Sequence, residues 1–328
     1  GDLGCVRKCR RQIDAAVAHQ PDQLRTIGTE AFAARFPGAV AESLQTATGS
    51  FPEFWEYESV ARNLIGGKGF VYAHMNTEYR AYVEPLYPWL VAGTYFVAGH
   101  SVVTLSLLQC LISALVAVVV YDLGRRTFGH AAGVAAGALV AVHPGLAAYA
   151  SKFHPLVLDA LFIALVVLAT LRLVQEPSQG NAAFFGGMLG GCILTRPTIL
   201  VFVLPALAWL AWRRSLRRAA ASGALALAIV AVIVGPWVLR NYSVLGTFVL
   251  TRTNTAYVFW LGNHPGATGG ATDPSGAGSL FDVAPPALKQ RILSADEVTQ
   301  NRIFLSEALK YVQENPLAFI GRTIKKLY

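Results

Sequence analysis

The sequence predicts an all-α fold, a polytopic transmembrane helix bundle with further helical regions outside the cytoplasm. The first observation is composition: of 328 residues, 54% are hydrophobic and only 14% are charged, whereas a soluble domain carries about a quarter charged residues. The second is that apolar runs of about twenty residues recur, which is the length that crosses a hydrocarbon core of about 30 Å. The third is that arginines cluster in the short loops between these runs.

The composition excludes a disordered, collagen-like or disulfide-stapled chain. The 27 basic and 19 acidic residues give a net charge of +8. Because many of the basic residues lie between apolar runs, they set the topology rather than bind nucleic acid. The predicted partner is therefore a membrane, with no nucleic acid.

Cysteines and the N-terminal residues add no further site. Cys5 and Cys9 could form a metal or redox pair, but neither a second pair nor a nearby histidine supports it. Cys110 and Cys192 fall inside apolar runs, where thiols behave as small hydrophobes. No apolar core follows the early arginines and lysines, so no signal peptide is expected.

Four consecutive regions are predicted. Residues 1–50 form a polar N-terminal region, and residues 51–100 form a first outer loop with interfacial helices, because the apolar stretch 86–99 is too short to cross. Residues 101–240 form a transmembrane bundle of about six helices. Residues 241–328 form an outer-face loop and a C-terminal helix.

The six expected spans come in close succession. They cover residues 101–124, 131–148, 155–174, 182–194, 197–212 and 219–239. The fourth and fifth would form one run of about 31 residues, half as long again as a crossing needs. An arginine beside a proline is costly in lipid, so we expect two short helices with Arg196 at the turn.

The loop arginines predict the orientation. They follow the first span, end the third and follow the fifth: Arg125, Arg126, Arg172, Arg213, Arg214, Arg217 and Arg218. Alternating spans place them all on one side, which is then cytoplasmic. The opposite, outer face collects residues 149–155, the Arg196 turn and everything after Arg240.

Asp159 is the acid placed well inside a predicted span, one turn after Pro155. A carboxylate so close to hydrocarbon usually lines a cavity or pairs with a cation. It is also the kind of residue that the positive end of a helix dipole favours. Lys152 and His154 are close in sequence, which favours a functional site.

Two outer-face arginines allow two interpretations. Arg196 and Arg240 could snorkel to lipid headgroups. They could equally hold a phosphate, which suits the forked guanidinium. The break in the apolar run beside Arg196 favours phosphate binding at that position.

The first outer loop contains three acids beside aromatic residues, among them Glu53 and Glu56. Taken alone, this segment is typical of an amphipathic helix with a solvated acidic face. A further run of aromatic and charged residues, 79–88, follows directly before the membrane. This density of aromatic and charged residues is greater than an ordinary loop needs.

The order of short motifs along residues 52–328 resembles that of GT-C glycosyltransferases. The closest group is the bacterial relatives of dolichyl-phosphate-mannose protein mannosyltransferases and lipid A aminoarabinose transferases. The motifs are Tyr57 before Asn63-Leu64, Gly69-Phe70, Pro85-Leu86-Tyr87-Pro88, Asp159, Leu194-Thr195-Arg196-Pro197, Pro236-Trp237, Arg240-Asn241-Tyr242 and Leu261-Gly262-Asn263-His264-Pro265.

The resemblance implies an inverting enzyme of the bacterial inner membrane with its active site facing outward. Such enzymes move a sugar from a polyprenyl-phosphate donor to a lipid, glycan or protein acceptor. In that family an acid of the first outer loop acts as base or metal ligand. Here Glu53, four residues before Tyr57, stands where the family usually has Asp, and Glu56 is the reserve candidate.

The remaining roles also follow from the resemblance. Asp159 would orient the acceptor or a bound divalent cation, for which no ligand set can be named. Arg196 and Arg240 would neutralise the lipid phosphate as it leaves. The residues expected to bind substrate are Lys152, His154, Arg196 and Arg240. The alternative is a non-catalytic membrane protein or transporter that uses Asp159 and Arg196 as an intramembrane relay. A transporter should show matching halves with interrupted helices, and the sequence shows no internal repeat.

Overall fold

The computed structural model describes residues 56–74, 77–267 and 284–325, and this part of the chain is almost entirely helical. The predicted all-α class is confirmed. Two three-residue strands, β1 (Tyr72–His74) and β2 (Thr77–Tyr79), pair antiparallel with Tyr72 opposite Tyr79. They are the only strands within the described residues.

Between residues 86 and 245 the helices follow one another with short connections, whereas longer segments follow the helices that end at residues 65 and 261. In chain order they are α1 (Glu56–Ile65), α2 (Leu86–Ala98), α3 (Val102–Phe128), α4 (His130–Ala141), α5 (Pro144–Ala150), α6 (Leu156–Gln175), α7 (Gln179–Ile193), α8 (Leu200–Arg213), α9 (Leu216–Leu245), α10 (Thr255–Leu261), α11 (Pro286–Leu293), α12 (Glu297–Glu314) and α13 (Pro316–Lys325). A 3₁₀ turn, Pro197–Ile199, leads into α8.

Contacts divide the chain into two compact units. Within the described residues, unit 1 comprises residues 56–58 and 86–234, and unit 2 comprises residues 59–74, 77–85, 235–267 and 284–325. The division differs from the four consecutive regions expected from the sequence, because the first outer loop is shared between the units. Hydrogen bonds between residues about 170 to 220 positions apart tie its second half to the C-terminal region, and no local pattern encodes such pairings.

Three helices, α3, α6 and α9, are long and apolar enough to cross a membrane. A fourth span results if α4 and α5, which meet at an angle of 47°, are counted together. By length and composition, the described residues thus contain three or four candidate spans, and the expected bundle of about six helices over residues 101–240 stays a prediction. Helices α7 and α8 have only 15 and 14 residues, or about 22 Å each at 1.5 Å per residue. The break between them lies at Thr195 and Arg196, where the sequence predicts it.

Small residues let the helices of unit 1 approach closely. Helix α3 packs along α4, and α6 packs against both α3 and α7. A Cβ atom added at Gly133 would lie 2.8 Å from the carbonyl oxygen of Tyr121, and one at Gly186 would lie 2.6 Å from that of Ala226. Alanine at either position would force the backbones apart. Such glycines are typical of packing in membrane bundles.

The arginine-rich turns of unit 1 gather at one end of its helices. Asp122, near the end of α3, accepts hydrogen bonds from Arg125 at 2.8 Å and Arg126 at 2.7 Å, and Arg172 of α6 lies 3.6 Å away. Asp159 lies in the first turn of α6 and Arg172 in its last, about 20 Å apart along the axis. Within unit 1, therefore, Asp159 and the arginines lie at opposite ends, as the alternation of spans predicts.

Unit 2 contains the β-hairpin, the C-terminal part of α9 and helices α10–α13. Its apolar core includes Trp260 of α10, Ile292 of α11 and Phe304 of α12. Helix α9 ends at Gly246, whose φ of +67° favours glycine. The indole N–H of Trp237 donates to the carbonyl of Thr251 at 2.9 Å, which fixes the segment that follows α9.

Candidate functional site

Asp159 and Arg196, 37 positions apart in sequence, form a direct ion pair in unit 1. The Nε of Arg196 lies 2.8 Å from Oδ2 of Asp159, and its Nη2 lies 2.5 Å from the same oxygen. The Asp159 side chain is 3% exposed and that of Arg196 is 42% exposed. A buried carboxylate therefore orients a guanidinium that remains partly exposed.

The local sequence explains why Arg196 reaches Asp159. After α7 ends, the N–H of Arg196 and the hydroxyl of Thr195 both donate to the carbonyl of Cys192, at 2.6 and 3.0 Å. Pro197 then starts the 3₁₀ turn, because its fixed φ suits a first helical position. Asp159 is favoured in the first turn of α6 by the positive end of the helix dipole.

His154 caps helix α6 and is neutral. Its Nδ1 accepts a hydrogen bond from the N–H of Leu156 at 3.1 Å, so this nitrogen carries no proton. Burial, together with the nearby positive charges of Arg196 and Lys152, lowers the pKa of His154 from 6.5 to about 4. At neutral pH it can donate a hydrogen bond through Nε2 but cannot neutralise a phosphate.

We expect His154 to make the stability of the chain depend on pH. An unfolded His154 takes up a proton near pH 6.5 and the folded one only near pH 4. Its contribution to stability is thus complete above about pH 6.5 and is lost as the pH falls towards 4. His154→Asn keeps a capping acceptor, so between pH 7 and pH 5 its Tm should fall by at least about 2 °C less than that of the wild type.

The matched control for this measurement is His143→Asn. His143 caps α5 in the same way, with Nδ1 3.3 Å from the N–H of Leu146, but it is exposed. This variant should follow the wild type in thermal unfolding at both pH values. An equal fall of Tm in His154→Asn and wild type would contradict the assignment.

Lys152 is a second cation near His154. Its ammonium lies 5.7 Å from the centre of the Tyr149 ring and forms no ion pair within the described residues. Its carbonyl accepts from Nε2 of Gln109 at 2.9 Å, which fixes the backbone that carries it. Lys152 and Arg196 therefore provide two positive charges around one neutral histidine.

The acids of the first outer loop are placed only in part. Glu53 lies outside the described residues, and half-buried Glu56 begins helix α1. Glu58, two residues further on in the same turn, is buried and accepts from the hydroxyl of Tyr95 at 3.1 Å. It also lies 2.8 Å from Nε2 of His100. These contacts fix the start of α1 within unit 1.

Several polar residues that contact the site at this end of unit 1 were not predicted from the sequence. Gln109 is buried in α3 and accepts from the hydroxyl of Tyr87 at 2.8 Å, and Tyr87 packs edge-on against Tyr57. Tyr57 in turn lies edge-on to His154. The sequence does contain a signal for Gln109: it is an amide inside an apolar run, and polar groups in lipid need hydrogen-bond partners. No comparable signal singles out His100, the partner of Glu58.

An apolar groove of about 350 Å³ opens beside Arg196. It runs between α6 and α8 and is lined by Ile163, Arg196, Thr198, Ile199, Val201, Phe202 and Pro205. Ile163 lies one helical turn after Asp159 on the same face of α6. The groove therefore joins a hydrocarbon-like surface to the cation that Asp159 orients.

Arg240 lies in unit 2. Its guanidinium stacks 4.8 Å from the Trp237 ring centre, donates to the carbonyl of Phe70 at 3.3 Å and also donates to that of Arg80. These contacts hold the last turns of α9 to residues 70–80 of the same unit. That Arg240 shares one cavity with Asp159 and Arg196 stays a prediction.

A divalent cation has no ligand set in the described part of the chain, where no three His, Cys, Asp or Glu side chains converge. The oxygen of Asp159 nearest to Arg196 is already committed to that guanidinium. The described residues thus do not fit a bound metal, and no catalytic step below depends on one. A cation held by Glu53 stays a prediction, because that residue lies outside the described part.

The helices that hold the ion pair are similar to those of a known protein family. Residues 83–239 match the family model of dolichyl-phosphate-mannose-protein mannosyltransferase. This match confirms the resemblance to GT-C glycosyltransferases predicted from the sequence. It supports a membrane glycosyltransferase, and together with the apolar helices it supports an integral membrane protein. No curated protein and no solved structure matched the chain.

The part similar to the mannosyltransferase family includes the whole Asp159–Arg196 arrangement. It extends from just before α2 into α9 and contains Lys152, His154 and the apolar groove. Glu53 and Glu56 precede it, and Arg240 follows it by one residue. The likeness thus covers the ion pair and the groove but not the loop acids.

Proposed function

We propose that the chain transfers a sugar from a polyprenyl-phosphate donor to an acceptor at the outer face of a bacterial inner membrane. The observation that carries this proposal is the apolar groove that ends at Arg196. A prenyl chain is apolar and branched, whereas its phosphate is anionic. A groove lined by aliphatic and aromatic side chains with one guanidinium at its mouth matches both parts.

The ion pair gives this groove a chemical role. As the bond between sugar and phosphate breaks, negative charge grows on the phosphate oxygens. A preoriented cation in a surrounding of low dielectric stabilises that charge with little reorganisation. Asp159 holds Arg196 in place through Oδ2, and the ammonium of Lys152 adds a second charge.

The acceptor hydroxyl needs a base on the other side of the reacting carbon. Inversion requires that the oxygen attack opposite the leaving phosphate, with its proton passing to a carboxylate within hydrogen-bond reach. We assign this role to Glu53, with Glu56 as the second candidate. The support is the resemblance in the first outer loop and the position of Glu56 at the start of α1.

The ion pair also bears on the transporter alternative. Transporters bind their substrates near the bilayer midplane at broken helices. Asp159 lies in the first turn of α6, beside the turn that contains Arg196, and thus at one end of the helices of unit 1. This position favours chemistry at an interface over a relay through the bilayer.

The test of the function is the choice of donor. Membranes that contain the chain should transfer labelled sugar from a polyprenyl-phosphate sugar and not from the corresponding nucleotide sugar, because a nucleotide has no chain to fill the groove. Membranes without the chain serve as the control. Transfer from the nucleotide sugar alone would contradict the proposal.

A further inference from the structure

A second cavity lies entirely within unit 2, between the β-hairpin and helices α10–α12. Its volume is about 70 Å³, room for several waters at roughly 10–15 Å³ each. It is lined by His74, Tyr79, Tyr82, Thr253, Asn254, Tyr257, Ile292, Glu297, Gln300, Asn301 and Phe304. His74 is exposed, which places it at the rim. We call this cavity the hairpin cleft.

Two aromatic clusters form the walls of the hairpin cleft. On the hairpin side, the rings of Tyr79 and Tyr82 lie 4.9 Å apart, and His74 stacks on Tyr72 at 5.5 Å. On the helix side, Tyr257 lies 5.0 Å from Phe304. Aromatic faces carry negative partial charge and attract weakly positive C–H groups.

Polar groups without protein partners lie between these walls. The side-chain oxygen of Asn254 is buried and has no hydrogen-bond partner among the described residues. The Oδ1 of Asn301 accepts a hydrogen bond from the N–H of Ala256 at 3.1 Å. The side-chain NH₂ group of Asn301 therefore points the other way, and it donates no hydrogen bond within the described part of the chain. Neighbouring hydroxyl groups of one ligand, which both donate and accept, would satisfy an acceptor and a donor of this kind.

The cleft lining selects against an anionic ligand. Among the described residues, neither lysine nor arginine lines it, and the charged residue that does, Glu297, is an anion. The Glu297 carboxylate already accepts from the N–H groups of Arg80 and Ala81, at 2.6 and 3.0 Å, and from the hydroxyl of Thr253. A phosphate or carboxylate in the cleft would meet the repulsion of this carboxylate, and no described lining residue would offer it a positive charge.

We infer that the hairpin cleft binds a neutral saccharide. One face of a pyranose ring presents C–H groups to aromatic walls, and its hydroxyls match the two asparagine side chains. This inference deepens the proposed function and rests on it for the ligand's role, which is that of a glycan acceptor. The binding itself depends on unit 2 alone.

The test is equilibrium binding to the purified full chain, with D-mannose, D-glucose, D-galactose and N-acetyl-D-glucosamine as probes and saturation-transfer NMR as the readout. At least one probe should bind, and its 6-phosphate should bind more weakly. Asn254→Ala should weaken binding about fivefold, the equivalent of one hydrogen bond. Asn254 makes no side-chain cap to α10, so the fold should tolerate the change.

Two controls separate this inference from the proposed function. Gln313→Ala alters an exposed residue of α12 outside the cleft and should bind the saccharide as the wild type does. Arg196→Ala should transfer sugar much more slowly at subsaturating donor, yet bind the saccharide as the wild type does. If the wild type binds a saccharide but transfers no sugar, the proposed function is overturned, whereas the inference about the hairpin cleft is retained. Absence of binding by every probe, equal affinity in Asn254→Ala, or tighter binding of the 6-phosphate would overturn the inference.

Discussion

Replacing the proposed catalytic base by its amide should lower sugar transfer by about 10²-fold or more. The substitutions are Glu53→Gln and Glu56→Gln, which keep size and polarity but remove the proton acceptor. We expect the larger loss in Glu53→Gln, because Glu53 has the family's spacing before Tyr57. Initial rates at saturating donor and acceptor, with the folded state of each variant checked by thermal unfolding, are the measurement.

Glu58→Gln is the matched control, since it removes an acid from the same helix turn. Its carboxylate is committed to Tyr95 and His100, so we expect lower stability with transfer within a few-fold of the wild type. Loss of transfer in Glu56→Gln alone would move the base to Glu56. Full activity in both Glu53→Gln and Glu56→Gln would show that neither loop carboxylate is the base.

Removing the guanidinium of Arg196 should have the second largest effect. A hydrogen bond to a charged group contributes roughly 1.5–3 kcal/mol, so Arg196→Ala should raise the donor KM by about 10- to 100-fold. Arg196→Lys keeps the charge but not the fork, and should cost clearly less. The measurement is transfer rate against concentration of polyprenyl-phosphate sugar, at fixed acceptor.

Arg217→Ala controls for the loss of one positive charge, because Arg217 is exposed at the start of α9. It should leave the donor KM unchanged.

Asp159→Asn should raise the donor KM less than Arg196→Ala, since it loosens the guanidinium without removing it. The double variant should be no worse than Arg196→Ala alone if Asp159 acts through Arg196. An unchanged KM in Arg196→Ala would mean that Arg196 only anchors the chain at the headgroups.

The sequence by itself determined the properties that depend on neighbouring residues. Apolar runs and their lengths gave the helical membrane class, and arginine placement gave the opposite ends of unit 1. The Arg196–Pro197 pair gave the break between α7 and the turn before α8. Each of these follows from local hydrophobicity, charge or backbone restriction, which a single segment expresses without help from the rest of the chain.

The number of membrane spans depends on more than the local sequence pattern. Apolar content alone did not distinguish a full crossing from a short helix such as α7. Nor did it show the 47° bend between α4 and α5. Helix length depends on where the chain turns, and turns depend on packing against other helices.

Only the tertiary structure decided which polar groups meet. It paired Asp159 with Arg196 across 37 positions and gave His154 its neutral state. It also bonded Glu297 to the backbone of Ala81 across 216 positions. Such partners come together because the folded chain brings distant segments into contact and removes water from them, so each group's charge and hydrogen bonds depend on neighbours that its own segment does not contain.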